Sequence, residues 1–347
     1  MKSTLFAGAS RKRAGARALP SVVRVGLWQA GRAARCCQQV YTAADTMRLC
    51  MVGCGAIAQR HSAAIRLVNG RGSGDEVTVT VAVDPVLESA AALATDFADH
   101  GCVSYRSLEE ALEGASSSFD AVLLMVPPAL NQELMSLALR HDKSVLLQKP
   151  LAISEAKGLA LLAEVDALRA AGHHRTLLVS EHSQWWPEVL TIRRLIQEGR
   201  IGELVTARSL FAGGLGGIAD PNGWRRSVDA GGGGIAMDGG THWLRPLRMW
   251  FGEVVGVSGT TAQLTPECEG ETMAKAILHH ESKRVTTFDA IALPEPAVFS
   301  PQPHFVVTGT AGEIVMNPGL TPITAEEIFP ASLSAGAKWS SIVFAIS

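Results

Sequence analysis

No stretch of roughly 18 or more apolar residues occurs in this chain, so none of its helices is expected to cross a bilayer. Cysteine is scarce and unpatterned: Cys36, Cys37, Cys50, Cys54, Cys102 and Cys268 contain no CxxC pair and lack the density of a disulfide scaffold. They read as free thiols of a reducing compartment, with no metal site among them. Tyrosine occurs only twice, and the 34 glycines keep no three-residue period, which excludes a collagen-like chain and leaves a globular one rich in tight turns. With 47% hydrophobic residues over 347 positions, the chain can bury one large core or two ordinary ones, which excludes global disorder.

Acid is absent ahead of Asp45, while Lys2, Arg11, Lys12, Arg13, Arg17, Arg24, Arg32 and Arg35 crowd the same stretch. Residues 1–46 therefore read as a basic leader, either an organelle transit peptide or a disordered extension. The corresponding location is an organelle matrix or the cytoplasm. The rest of the chain holds 23 basic residues against 32 acidic ones, and a negative body lacks the concentrated positive surface of a nucleic-acid binder.

From Arg48 the pattern becomes specific. The apolar run Leu49-Cys50-Met51-Val52 enters Gly53-Cys54-Gly55-Ala56-Ile57-Ala58 and then a helical stretch from Gln59 to Ile65. In a GxGxxA turn, Gly53 makes the tight bend, Gly55 leaves room for a pyrophosphate, and Ala58 lets the helix approach the sheet. Ala56 and Ile57 open that helix, whose free N–H groups face the phosphates. The β-branched run from Val77 to Val83 ends at Asp84, where an acid is placed to meet the adenosine ribose hydroxyls and to repel a 2′-phosphate, which favours NAD over NADP. An earlier stretch, Val22-Val23-Arg24-Val25-Gly26, also resembles a strand entering a glycine turn, but it lacks the GxGxxA register.

Helical and apolar segments then alternate. Helices are expected at Leu87 to Phe97, Leu108 to Leu112, Glu133 to Leu139 and Glu155 to Ala170, with strands at Ala121 to Val126, Ser144 to Leu147 and Thr176 to Ser180. This alternation predicts a doubly wound parallel sheet over residues 47–181. Pro127-Pro128 and Gln148-Lys149-Pro150 close two of its strands.

Beyond it, residues 182–347 are expected to form a substrate and oligomerisation domain of α+β type with a largely antiparallel sheet. A helix covers Glu188 to Glu198. Strands are expected at Glu203 to Phe211, Val254 to Leu264, Thr272 to His279, Arg284 to Ala292, His304 to Thr308 and Glu313 to Met316, with a weak one at Ser341 to Ala345 after a loop. One sheet face can pack on helices, and the other calls for a second subunit, so a homo-oligomer is expected. The glycine run Gly231 to Gly234 leads to Asp238 and His242. On a continuous helix, four-residue spacing puts the carboxylate beside the imidazole, an arrangement suited to general acid/base work.

These features in this order resemble the Gfo/Idh/MocA oxidoreductases. The resemblance runs over about residues 48 to 316 and rests on several short motifs: Gly53 to Ala58 with Arg60-His61, Pro127-Pro128, Lys149-Pro150, Gly199-Arg200-Ile201-Gly202, Trp224-Arg225, Gly231 to Gly233, Asp238 with His242, and Gly309-Thr310-Ala311-Gly312. It implies a Rossmann domain followed by the α+β domain and cofactor contacts from Gly53, Gly55, Ala56, Ile57, Ala58, Asp84, Pro127 and Lys149. A catalytic set of Lys149, Asp238 and His242 would act on a secondary alcohol of a sugar, cyclitol or related polyol, with NAD or NADP as hydride carrier. Gln148 stands where the family carries Glu, Asn131 where His is common, and Arg245 where an Asp often follows the His. Arg245 suits either an acidic substrate or a different internal ion pair. The chain after Met316 is short for the family, which points to a truncated or divergent C-terminus. These departures keep open a nucleotide-binding sensor or subunit, a glycosidase or lyase using transient oxidation, and a dihydrodiol dehydrogenase.

Overall fold

Strand and helix alternate from Met47 onward because buried β-branched runs and amphipathic stretches succeed each other across short turns. The computed structural model describes residues 46–70, 76–173, 175–214, 220, 223–293, 304–317 and 341–346. The basic leader with Cys36 and Cys37, the Val22 to Gly26 stretch and most of the loop after Asn69 lie outside the described residues.

The first part comprises β1 (Met47–Val52), α1 (Ala56–Asn69), β2 (Val77–Val83), α2 (Leu87–Thr95), β3 (Val103–Tyr105), α3 (Leu108–Ala115), β4 (Ala121–Leu124), α4 (Asn131–Arg140), β5 (Ser144–Gln148), α5 (Glu155–Ala170) and β6 (Leu177–Ser180). All six strands run parallel in the order β3-β2-β1-β4-β5-β6. Strand order reverses between β1 and β4, which opens a crevice at their carboxyl ends. One face buries Cys50, Val81, Val122 and Leu147 under α3, α4 and α5, and the other buries Met51, Val79 and Leu123 with Ala58 and Leu93 of α1 and α2. Ala58 is fully buried, as close helix–sheet contact requires. Ser107 and Ser154 cap α3 and α5 by accepting from the N–H groups of Glu110 and Lys157.

The second part comprises α6 (Pro187–Gln197), β7 (Leu204–Gly214), α7 (Val228–Gly231), α8 (Ile235–Asp238), α9 (Thr241–Phe251), β8 (Val254–Ala262), β9 (Met273–His280), β10 (Val285–Leu293), β11 (Phe305–Gly309), β12 (Gly312–Asn317) and β13 (Ser341–Ile346). Its seven strands lie in the order β13-β12-β11-β7-β10-β9-β8, antiparallel throughout except for the β10–β7 pair. Alternation sets the faces: Ala274 and Leu278 of β9 and Phe288 and Ala290 of β10 point into a core with Ile192 of α6 and Leu247 and Trp250 of α9. Complete burial of a side chain such as Phe305 or Ile192 contributes roughly 1.5–3 kcal/mol. Two of the short motifs dock on each other, with Thr310 N–H donating to Glu203 O and Ala311 N–H to Ile201 O, both at 2.9 Å. They tie the start of β7 to the β11–β12 turn.

Candidate active site

At the switch point, Gly53 bends the chain with φ of +90°, and a Cβ there would lie 2.6 Å from the carbonyl oxygen of Met125 after β4. Only glycine meets both conditions without strain. At Gly55 a Cβ would meet nothing within 4 Å. The open space beside Gly55, at the exposed N-terminus of α1, suits a pyrophosphate. Ala56 and Ile57 form the first turn of α1, and Pro127 follows β4 on the opposite side of the crevice. Asp84 is placed at the end of β2, where its Oδ2 accepts from Cys54 N–H and its Oδ1 from Val86 N–H, both at 2.9 Å. The carboxylate therefore braces the glycine turn. Each oxygen keeps a further lone pair for a ribose hydroxyl.

Lys149 follows β5. Its Nζ donates to the main-chain oxygen of Asp238 at 2.6 Å and to Asp238 Oδ1 at 2.8 Å, and the side chain is 14% exposed. An ammonium has three donors, so one N–H remains uncommitted. The other carboxylate oxygen of Asp238 accepts from Arg225 Nε at 2.9 Å, and the Arg225 guanidinium lies 4.3 Å over the Trp224 ring. Burial would push the Asp238 carboxyl up, but the charges and hydrogen bonds of Lys149 and Arg225 outweigh it and hold it below the usual carboxylate range.

The glycine run explains how Asp238 reaches Lys149. Gly232 has φ of +85°, and a Cβ there would lie 2.5 Å from Ile153 Cα, so this backbone packs directly on the loop after Lys149-Pro150. On the other side, Glu271 Oε2 accepts from Gly234 N–H at 2.9 Å and Oε1 from Ala236 N–H at 3.0 Å. These glycines form a seam between the two parts of the chain.

The expected Asp238–His242 pair does not form. Gly239 and Gly240 end α8 and begin a new helix at Thr241, and Gly240 packs too closely on Ala236 O and Phe288 to carry a side chain. The break removes the four-residue register that a single helix would have given. His242 Nδ1 instead meets Glu181 Oε1 at 2.7 Å, with side chains 14% and 13% exposed. Burial pushes the Glu181 carboxyl up, but the hydrogen bond and charge of His242, helped by Ser183, bring it down to about 2. The Nδ1 contact with a carboxylate leaves Nε2 as the ring nitrogen without a hydrogen-bond partner among the described residues. Glu181 escaped the sequence reading because it lies just past the last strand of the first sheet, at the boundary between the two expected domains. Its position held a signal: residues just beyond the carboxyl ends of parallel strands, such as Gly53, Asp84 and Lys149, line the crevice, and Glu181 follows β6 in the same way.

Asn131 is buried and donates from Nδ2 to Pro150 O at 3.0 Å and Leu151 O at 3.3 Å, so it shapes the turn that carries Lys149. Gln148 Nε2 lies 2.6 Å from His61 Nε2 and 3.4 Å from Ser180 Oγ. Burial pushes His61 down, which favours the neutral ring that can accept from the amide. Arg245 makes no internal ion pair among the described residues; its partner is the side-chain amide of Gln184. Donor atoms of Glu181, His182 and His242 lie within 4.8 Å of one another, the one such group among the described residues. A cation held there would occupy the atoms of the Glu181–His242 pair. The sequence reading did not foresee this cluster. Cys50, Cys54, Cys102 and Cys268 are free thiols.

The fold and the site together define a two-part framework, a Rossmann sheet joined to a mixed α+β sheet with the titratable cluster at their seam. The chain belongs to the Gfo/Idh/MocA family: residues 47–171 match the model described as the oxidoreductase family NAD-binding Rossmann fold, and residues 189–315 match the GFO/IDH/MocA C-terminal domain. It is 29% identical over 199 residues to a D-xylose 1-dehydrogenase [NADP(+)] of Haloarcula marismortui, a match covering 56% of this chain and 53% of that protein. A D-apiose dehydrogenase of Paraburkholderia graminis is 24% identical over 265 residues, covering 76% of this chain and 66% of its own. The chain thus spans between half and two thirds of these relatives' lengths. In fold it resembles a levoglucosan dehydrogenase solved with NADH and levoglucosan, with a TM-score of 0.68, 21% identity, and 79% and 74% of the two chains covered.

Proposed function

We propose that the protein is an NAD-dependent dehydrogenase that oxidises a secondary alcohol of a sugar, cyclitol or related polyol, with NADP as the less favoured carrier. The observation that carries this reading is that two groups, each fixed by a carboxylate, keep hydrogen-bonding capacity among the described residues: Nε2 of His242 and one N–H of Lys149. The glycine turn at Gly55, the N-terminus of α1, Asp84 and Pro127 would hold the dinucleotide, which when bound supplies the hydride acceptor.

The chain's own groups handle the proton and the charge. His242 Nε2 accepts the hydroxyl proton as the carbinol carbon is oxidised, and the resulting imidazolium is stabilised by Glu181, ionised because its carboxyl is held at about 2. Lys149 donates its remaining N–H to the reacting oxygen and offsets the negative charge that grows there. Asp238 does not orient the imidazole; it holds Lys149 in place, and Arg225 holds Asp238. The departures at Asn131 and Gln148 fall on groups that shape the Lys149 turn and bind His61, so they leave this proton path intact.

The same reading includes a homo-oligomer. The sheet face away from α6 and α9 exposes Ile277 and Val285 beside the Lys275–Asp289 pair, and a second copy of the chain is its assigned cover. Light scattering at micromolar concentration tests this, with a dimer or larger assembly expected and a monomer contradicting it. Transfer of deuterium from a carbon-deuterated polyol to NAD tests the activity itself.

A further inference from the structure

Arg245 lies one helical turn beyond His242 on α9, so their Cβ atoms are roughly 5–6 Å apart on one face. Opposite them, Glu181 and Gln184 are also three residues apart. Glu181 takes His242 Nδ1 at 2.7 Å, and Gln184 Oε1 takes Arg245 Nε at 3.2 Å and Nη2 at 2.8 Å. Gln184 in turn donates from Nε2 to the main-chain oxygen of Glu181 at 2.8 Å, which locks the two rungs together. The guanidinium is thereby fixed beside the proton-accepting pair.

It is also electrically unfinished. Arg245 is half-buried and permanently charged, yet among the described residues no carboxylate stands within ion-pair range of it. Its only partner among the described residues is one neutral carbonyl oxygen, which takes two of the five N–H donors and leaves three, both donors of Nη1 among them. A half-buried cation without a counter-charge costs stability unless a ligand supplies the anion. Formal charge favours an anion as well: Lys149, Arg225 and Arg245 are three cations against the two carboxylates of Asp238, engaged through both oxygens, and Glu181, engaged through Oε1.

We infer that Arg245 is a substrate-recognition residue and that the substrate is a sugar acid, an aldonate or uronate whose carboxylate docks on the guanidinium while a hydroxyl of the same carbon chain meets His242. The inference rests on the proposed dehydrogenase reading and narrows its substrate class. A planar carboxylate matches the planar guanidinium fork, whereas a neutral polyol would leave the charge unpaired. Lysine in place of Arg245 would keep the charge and lose the fork.

The test uses the full chain, with NADH binding followed by fluorescence and ligand binding by calorimetry, with and without NADH. The probes are D-gluconate, D-glucuronate and D-galacturonate, each beside its neutral parent sugar, and D-glucose 6-phosphate. At least one acid should bind about 10- to 100-fold more tightly than its neutral parent, the range expected for a charge-assisted hydrogen bond. Arg245→Gln should bring that ratio close to one at unchanged Tm and NADH affinity, while Arg245→Lys should keep part of it. No preference for any acid, a preference that survives Arg245→Gln, or tighter binding of the phosphate would each overturn the inference. The two readings fail separately. Arg245-dependent acid binding in a protein that ignores NADH supports this subsite and contradicts the dinucleotide assignment, and NADH binding without acid preference does the reverse.

Discussion

Two glycines in one turn should respond to alanine in opposite ways. Gly53 has a positive φ and sits where a Cβ would press on the Met125 carbonyl at 2.6 Å. For Gly53→Ala the backbone cost is roughly 1–2 kcal/mol and the overpacking another 1–3, which together is a substantial part of the stability of an ordinary domain. At roughly 2–4 °C per kcal/mol, Tm should fall by about 10 °C. Gly55 has φ of −77° and open space around it, so Gly55→Ala should fold normally and gain up to about 1 kcal/mol from the stiffer unfolded chain. Its added methyl occupies that space instead, so NADH affinity should drop at least about tenfold, about 1.4 kcal/mol, and Gly55→Val should abolish binding. Differential scanning fluorimetry and NADH fluorescence titration on the three variants separate the two effects. Wild-type NADH affinity in Gly55→Val, or an unchanged Tm in Gly53→Ala, would refute this account of the turn.

His242→Ala should lower kcat roughly 10²- to 10⁴-fold with NADH affinity near wild type, since the imidazole is assigned to proton transfer, and should also lower Tm because Glu181 loses its partner. Lys149→Ala should behave similarly in steady-state kinetics, and normal turnover in either variant contradicts the assigned role. Glu181 has a depressed pKa, so its contribution to stability is present above the usual value near 4.5 and is lost as pH falls toward 2. The Tm gap between wild type and Glu181→Gln should therefore be widest above pH 4.5, corresponding to about 3 kcal/mol at most, and should close toward pH 2. A gap that does not change with pH would count against the ionised pair. Asp84→Ser should relax a preference for NAD over NADP by roughly tenfold, read from parallel titrations, because it removes the charge that repels a 2′-phosphate.

Much of the fold is legible from periodicity. The run from Val77 to Val83 is observed as β2 with the same ends, and the strands expected in the second part all appear within a few residues of their positions. Periodicity misses β3, since the three residues Val103–Tyr105 are too short to show one. It is also silent on the parallel β10–β7 pair inside an otherwise antiparallel sheet, which depends on pairing between segments far apart in the chain. At the site, local motifs mark Gly53, Gly55, Lys149 and His242, because turn geometry and motif spacing are local properties. Partners across the seam are not local: Asp238 faces Lys149, 89 positions away, and His242 faces Glu181, 61 positions away. The spacing that suggested an Asp238–His242 pair assumes one continuous helix, and two adjacent glycines interrupt it.

The central claim is hydride transfer at the seam of the two parts, and the most direct measurement of it is isotopic. Carbon-deuterated sugars, cyclitols and sugar acids should be incubated with NAD and the full chain, and the reduced nucleotide analysed by mass spectrometry. Deuterium should appear in NADH with at least one of them, and the labelled product should be nearly absent with His242→Ala. A wild-type protein that binds NADH yet transfers no deuterium from any of these alcohols would contradict the dehydrogenase assignment, whatever else its fold resembles.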